Sequence, residues 1–241
     1  MCTGRVDLAF ILRAFARGAD GVFIGGCWPG ECHYITEGNY DALSNVHLCR
    51  KLMAHIGMAP ERLRIEWIAA SEGSRFAEVM DDFVRTLRAL GPLAQDGAGA
   101  GGRGAAEQGA QAGGEAEGGG APAGGEEAER PGVVQRLAAA ERLIPYIKLV
   151  ERERLRVPVK SEEAYNAFYA SAEAERLFAE LIAEKLTVSE ILLLLERRPL
   201  STAEIAARLE LNPSEVSRHM NSSSRQGLVR YDLDQGRYAL A

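Results

Sequence analysis

"GVFIGGCWPGECHY", residues 21–34, decides how the first third of this chain is read. Val22, Phe23 and Ile24 form a short apolar run bounded by glycines, which predicts a buried strand. Cys27 follows that strand directly, and Pro29-Gly30 turns the chain so that Cys32 comes back towards it. Upstream, Leu8, Ile11, Leu12 and Phe15 recur at helical spacing in "DLAFILRAFARG", with Gly18 as the C-terminal stop. Downstream, residues 39–56 carry Val46, Cys49, Met53 and Ile56 on one helical stripe. "LRIEWIA" is a second strand, and Ser71 is placed as the cap of a helix running to about Leu90. Helix–strand–helix–strand–helix implies parallel strands in an α/β domain. Two parallel strands make a poor core alone, so the sheet is expected to be incomplete and to expose an unpaired edge.

All four cysteines, Cys2, Cys27, Cys32 and Cys49, lie in the first 50 residues. The opening "MCTGRVD" has no basic start followed by an apolar run, and no stretch reaches 18 apolar residues. A cytoplasmic protein without a membrane span is therefore expected. In a reducing compartment, clustered cysteines are more often metal ligands or redox groups than disulfides. Ligands in open α/β sheets gather at the carboxyl ends of strands, where Cys27 sits. The C-x4-C spacing occurs among iron–sulfur proteins, whereas zinc more usually takes C-x2-C pairs. Inert buried thiols are the bland alternative. Cys49, on its helical stripe, reads as a core thiol. His33 reads as a packing or outer-layer group, and Trp28 as a docking anchor, a lid or a core residue.

"CTGRVD", "GADGVFIGGCWPGECHY", "GNY" and "RIEWIAASEGSRFAEVMDDFV" resemble the delta-subunit family of methyl-viologen-reducing hydrogenase, over residues 1–92. The resemblance implies a [2Fe–2S] cluster that relays electrons between a nickel–iron hydrogenase, or a formate dehydrogenase, and a heterodisulfide-reductase-type flavin subunit. Carried over by motif, Cys2 matches the family's C-x-G-R cysteine, and Cys27 and Cys32 match its G-C-x-P-G-x-C-H-Y cysteines. Cys2, Cys27 and Cys32 are thus the metal ligands that the family implies. Cys49 matches no motif cysteine. Family members also carry a strand and a cysteine-rich turn ahead of the position of Cys2. A fourth thiolate is then expected from upstream sequence or a partner chain, unless Cys49 or His33 completes the set.

Beyond residue 93 the composition changes. Residues 94–131 hold 13 of the 26 glycines and no aromatic residue, and their two basic and seven acidic side chains account for most of the net charge of −6. Such a segment cannot offset its ordering entropy by burial, and reads as a disordered Gly/Ala/Glu linker spanning about 35 Å, between units that move independently. Residues 132–186 read as a helical segment of two amphipathic stretches. Residues 187–241 read as a winged helix-turn-helix. Ser201 and Glu204 make a capping box, Asn212-Pro213 opens a second helix, and Asp234-Gln235-Gly236 joins two closing strands. The fold class is thus an α/β N-terminal domain, 1–93, with a short parallel sheet, the linker, and a mainly α C-terminal region ending in a winged helix.

A winged helix presents its second helix to the DNA major groove. Ser214, Ser217, Arg218, Asn221 and Arg225 would make those contacts, but residues 187–241 carry seven basic and seven acidic side chains, and Glu215 would face phosphate. Docking to a protein is the competing use of the same surface. The leading expectation is an electron-transfer subunit with no bond chemistry of its own. The alternative is a redox-responsive DNA-binding regulator.

Overall fold

The computed structural model describes residues 2–96 and 131–241. The expected linker, 94–131, falls almost wholly outside the described residues.

Asp7 caps α1 (Leu8–Ala16) by accepting from the Ala9 N–H, and Leu8, Ile11, Leu12 and Phe15 form its buried face. Gly18 follows with φ +91°, a left-handed turn open to glycine. β1 (Val22–Gly26) pairs in parallel with β2 (Leu63–Trp67), from Val22 opposite Leu63 to Gly26 opposite Trp67. Between them runs α2 (Gly38–His55), whose Val46, Cys49 and Met53 are buried as its stripe predicts. α3 (Gly73–Leu90) lays Phe76 and Phe83 on Phe23, with ring centroids 6.0 Å apart in each pair. Ser71 does not cap α3. The N-cap is Glu72, whose carboxylate is drawn back to the Ala69 N–H and the Trp28 indole. Among the described residues β1 pairs only with β2, and it borders a groove of about 340 Å³ lined by Cys2, Val6, Phe10, Ile11 and Ile24.

The helical segment is more broken than its periodicity suggests. α4 (Val133–Arg142) stops where Pro145 enters the first turn of α5 (Ile144–Arg154), because proline lacks the N–H that would continue the ladder. α6 (Glu162–Tyr169) and α7 (Ala172–Phe178) are separated at Ser171, which caps α7. A π-helical turn, Ala179–Ala183, then leads into α8 (Glu184–Arg197), so the boundary expected at 186/187 falls inside α8.

These helices close over the α/β domain. Leu8, Leu52 and Leu63 share one apolar core with Leu137, Ile147, Tyr165 and Phe178. Polar contacts fix the register. The Ser44 hydroxyl reaches Glu151 at 2.5 Å and the Tyr169 hydroxyl at 2.7 Å, and the Trp67 indole donates to Glu162 at 2.8 Å. His47 stacks on Tyr169 at 4.9 Å, and burial brings its pKa down to about 4, so it packs as a neutral ring. The expectation of independently moving units is therefore corrected: residues 133–186 pack on α1 and α2 and share their core. Leu186 at the start of α8 belongs to this core, whereas Ile191, Leu194 and Leu195 further along belong to a second one.

That second core lies under the winged helix. α9 (Thr202–Leu209) opens on the Ser201–Glu204 capping box, and α10 (Pro213–Arg225) on Asn212, as the sequence predicts. β3 (Val229–Asp232) and β4 (Arg237–Leu240) form the antiparallel hairpin, with Gly236 at φ +63° in its turn.

Arg62 is fully buried and gives Asp96 two bonds, 2.7 and 2.8 Å, while donating to the Asp20 carbonyl at 3.0 Å. Burial raises the Asp96 pKa, but the Arg62 bonds and the Ala59 N–H outweigh it, and the group ends below its ordinary value of 3.8. A depressed carboxylate contributes stability above its unfolded pKa and loses it as pH falls through the folded value. Acid unfolding of the α/β domain is thus expected to draw on Asp96 below about pH 4. Asp96→Ala, which strands a buried guanidinium, should cost about 3–5 kcal/mol in urea unfolding at neutral pH.

Candidate functional site

Cys27 follows the last residue of β1, and its carbonyl accepts from the buried Asn39 amide at 2.6 Å. The loop then turns through Gly30, φ +88°, with the Glu31 N–H bonded to the Trp28 carbonyl. Trp28 is held in place by its bond to Glu72, 2.8 Å, and by the Arg75 guanidinium 5.0 Å from its ring centroid. The Ala69 N–H and the Trp28 indole keep the Glu72 carboxyl below its ordinary pKa. Trp28 therefore clamps the cysteine loop to the start of α3.

Cys32 is 4% exposed, and its Sγ lies 3.5 Å from the Sγ of half-buried Cys2. Glycines make this approach feasible. A Cβ on Gly38, the first residue of α2, would stand 2.4 Å from Cys32 Sγ and 2.8 Å from Cys2 Sγ. A Cβ on Gly4 would meet the Gly38 Cα and carbonyl oxygen, both at 2.8 Å. The Thr3–Arg5 3-10 turn thus lies against bare backbone, and the Thr3 hydroxyl ties it to the Gly25 carbonyl of β1 at 3.1 Å. Partial burial raises the Cys2 pKa, an effect to which the Cys32 thiol adds and which the Gly4 N–H opposes.

Two thiolates bound about 2.3 Å from one tetrahedral metal ion stand roughly 3.7 Å apart. The 3.5 Å separation of Cys2 and Cys32 fits a shared metal centre, and the two sulfurs lie nearest to the space above Gly38. These two thiols amount to half of a four-thiolate site. Among the described residues no three His, Cys, Asp or Glu side chains are gathered to hold a metal ion, so Cys27 lies in the same loop without closing on the pair. Cys49 is completely buried in α2 and its pKa is pushed up to about 12, the behaviour of a core thiol. His33 is exposed, edge-on to Tyr34. Gly4 stands in the C-x-G-R motif, but the roles of Gly38 and Glu72 are not visible from motif chemistry. Gly38 carried a signal only as the first letter of "GNY".

On α10, Ser214, Arg218, Asn221 and Arg225 are exposed. Ser217 is half-buried, and its hydroxyl donates to the Pro213 carbonyl at 2.9 Å. Arg218 lies 3.5 Å from Glu184, and Glu215 turns to the buried His219 at 3.6 Å instead of outward alone.

A short parallel sheet with a thiol pair at its carboxyl end, closed by helices and continued by a winged helix, defines a cysteine-bearing α/β module joined to a winged-helix domain. The sequence model of the methyl-viologen-reducing hydrogenase delta subunit matches residues 1–91, and the chain belongs to that family. A second model, bacterial regulatory protein of the arsR family, matches residues 186–231. An F420-non-reducing hydrogenase iron-sulfur subunit of Archaeoglobus profundus is 55% identical over 92 residues, which are 38% of this chain and 66% of that protein. The vhu iron-sulfur subunit of the F420-non-reducing hydrogenase of Methanopyrus kandleri is 38% identical over 93 residues, covering 39% and 70%. A subunit of the ferredoxin/F(420)H(2)-dependent CoB-CoM heterodisulfide reductase of Methanosarcina acetivorans is 43% identical over 96 residues, 40% of this chain and 12% of that protein. The chain spans just under two thirds of the length of the Archaeoglobus relative. No helix among the described residues is long and apolar enough to cross a membrane.

Proposed function

We propose that residues 1–93 form an electron-transfer module holding a [2Fe–2S] cluster through Cys2, Cys27 and Cys32. The Cys2–Cys32 contact over the Gly38 backbone carries this reading. The relatives support its place in metabolism. The same segment of about 95 residues occurs in proteins named as hydrogenase iron-sulfur subunits and within one named as part of a heterodisulfide reductase. A module common to both belongs at their junction. Its partners would be a nickel–iron hydrogenase, or a formate dehydrogenase, on one side and a heterodisulfide-reductase-type flavin subunit on the other. When bound, the cluster supplies one-electron uptake and release, and the chain's own residues hold it, exclude water through buried Cys32, and clamp its loop through Trp28 and Glu72. Anaerobic purification with iron, sulfide and paramagnetic-resonance analysis tests this. Iron and sulfide with a reduced-cluster signal, lost in Cys32→Ala and kept in Cys49→Ala, are expected. Zinc without that signal in a complete complex overturns it.

A second reading has its own support in the arsR-family match and the exposed face of α10. In it, the chain is a DNA-binding regulator that responds to the state of the thiol site. Arg218→Ala and Arg225→Ala should each weaken duplex binding and reduce its salt slope by about 1. If binding never exceeds the non-specific level at physiological salt, α10 docks protein instead.

A further inference from the structure

We propose that Cys2 and Cys32 form a reversible disulfide when the chain holds no metal. Their sulfurs are already in van der Waals contact at 3.5 Å, so a bond of about 2.05 Å requires a closure of only about 1.5 Å. The backbone can yield that much. Cys2 lies outside any helix or strand, held by the carbonyl bond it accepts from the Arg5 N–H. Cys32 sits in the turns between β1 and α2. Gly38 beneath them contributes no side chain that would hold the two sulfurs apart.

The other thiols are poorly placed to compete. Cys49 is sealed inside α2, and Cys27 is not gathered with the pair. Two thiols in contact are suited to two-electron exchange. The two cysteines differ in access: Cys2 is half-buried and Cys32 is 4% exposed. The order of events follows. The Cys2 thiolate attacks one sulfur of a low-molecular-weight disulfide and expels the first thiolate. The Cys32 thiolate then attacks the Cys2 sulfur of the mixed disulfide, forms the Cys2–Cys32 bond and expels the second. Two protein thiols give up two electrons and two protons, and the small disulfide takes up both as two thiols.

This proposal uses two of the sulfurs assigned to the cluster, but it does not require that cluster to exist. The chemistry would protect an empty site and return it to the dithiol when reductant is restored.

The full chain, stripped of metal by a chelator under nitrogen, is treated with oxidised glutathione and analysed by non-reducing peptide mapping and intact mass. One intramolecular link joining the Cys2 and Cys32 peptides is expected, with loss of two hydrogens and full reversal by dithiothreitol. Cys27→Ser should form the same link, and Cys32→Ser should trap glutathione on Cys2. A link from Cys27 to either residue, or a stable glutathione adduct on Cys2 in the unaltered chain, overturns the proposal. Iron and sulfide analysis of the anaerobically loaded protein is scored separately, so either reading can fail alone.

Discussion

Gly38→Ala is expected to remove the thiol site outright. The added methyl would stand 2.4 Å from one sulfur and 2.8 Å from the other, well inside contact distance. Cys32 is buried, and Cys2 precedes a turn bound to β1 through Thr3. Relief must therefore come from moving the start of α2 or from driving the sulfurs apart. Overpacking of this kind costs about 1–3 kcal/mol, but the functional loss should be larger than the stability loss. Iron content should fall to background, and the glutathione-driven link between Cys2 and Cys32 should vanish. Gly4→Ala should act similarly, because its methyl meets the Gly38 backbone, which has no rotamer to change. Gly30→Ala is the contrast: it strains a residue at φ +88° by about 1–2 kcal/mol, yet nothing lies within 4 Å of the new carbon. If Gly38→Ala retains iron and still cross-links, the glycine contact does not hold the sulfurs together.

The two cysteine motifs were legible because they are local patterns with a turn between them. The glycine beneath them was not, since a residue whose role is to be absent from a space leaves no periodicity to detect. The same division runs through the fold. The α1 stripe, the Ser201 box and the Asn212 cap are set by neighbours within four residues, and all three stand as the sequence implies. Ser71 failed as a cap because the Glu72 carboxylate bonds the Ala69 N–H and reaches Trp28, 44 residues away. The packing of residues 133–186 onto the α/β domain was hidden for a related reason. It depends on pairs such as Ser44 with Glu151, 107 residues apart, and Trp67 with Glu162, 95 apart. Each partner taken alone is an ordinary polar residue on a helix or strand. The glycine-rich composition between them argued for separation, although a tether's composition says nothing about whether its two ends adhere.

Arg136→Ala is expected to break the connection between that shared core and the winged helix. Arg136, on α4, donates to the Ile56 carbonyl that follows α2 and to Glu190 on α8, both at 2.9 Å. The Glu190 side chain is 1% exposed, so the substitution removes a charge-assisted bond to a buried carboxylate, a loss of about 1.5–3 kcal/mol. The position of the pair makes the consequence more than a lower midpoint. α8 gives Leu186 to the first core and Ile191, Leu194 and Leu195 to the second, and Glu190 lies between them. With the tie removed, the two cores should lose their common transition, and urea unfolding should resolve into two steps. The fluorescence of Trp28 and Trp67 should follow one step, and far-ultraviolet dichroism should follow both. Arg136→Lys keeps the charge but reduces the fork to a single ammonium, which cannot reproduce both bonds, so rescue should be partial. Arg136→Met with Glu190→Gln removes both charges and should recover most of the loss, giving a coupling energy in the double-mutant cycle. A single cooperative transition for Arg136→Ala, within about 1 kcal/mol of the parent chain, would mean that the ion pair lies at the junction without holding it.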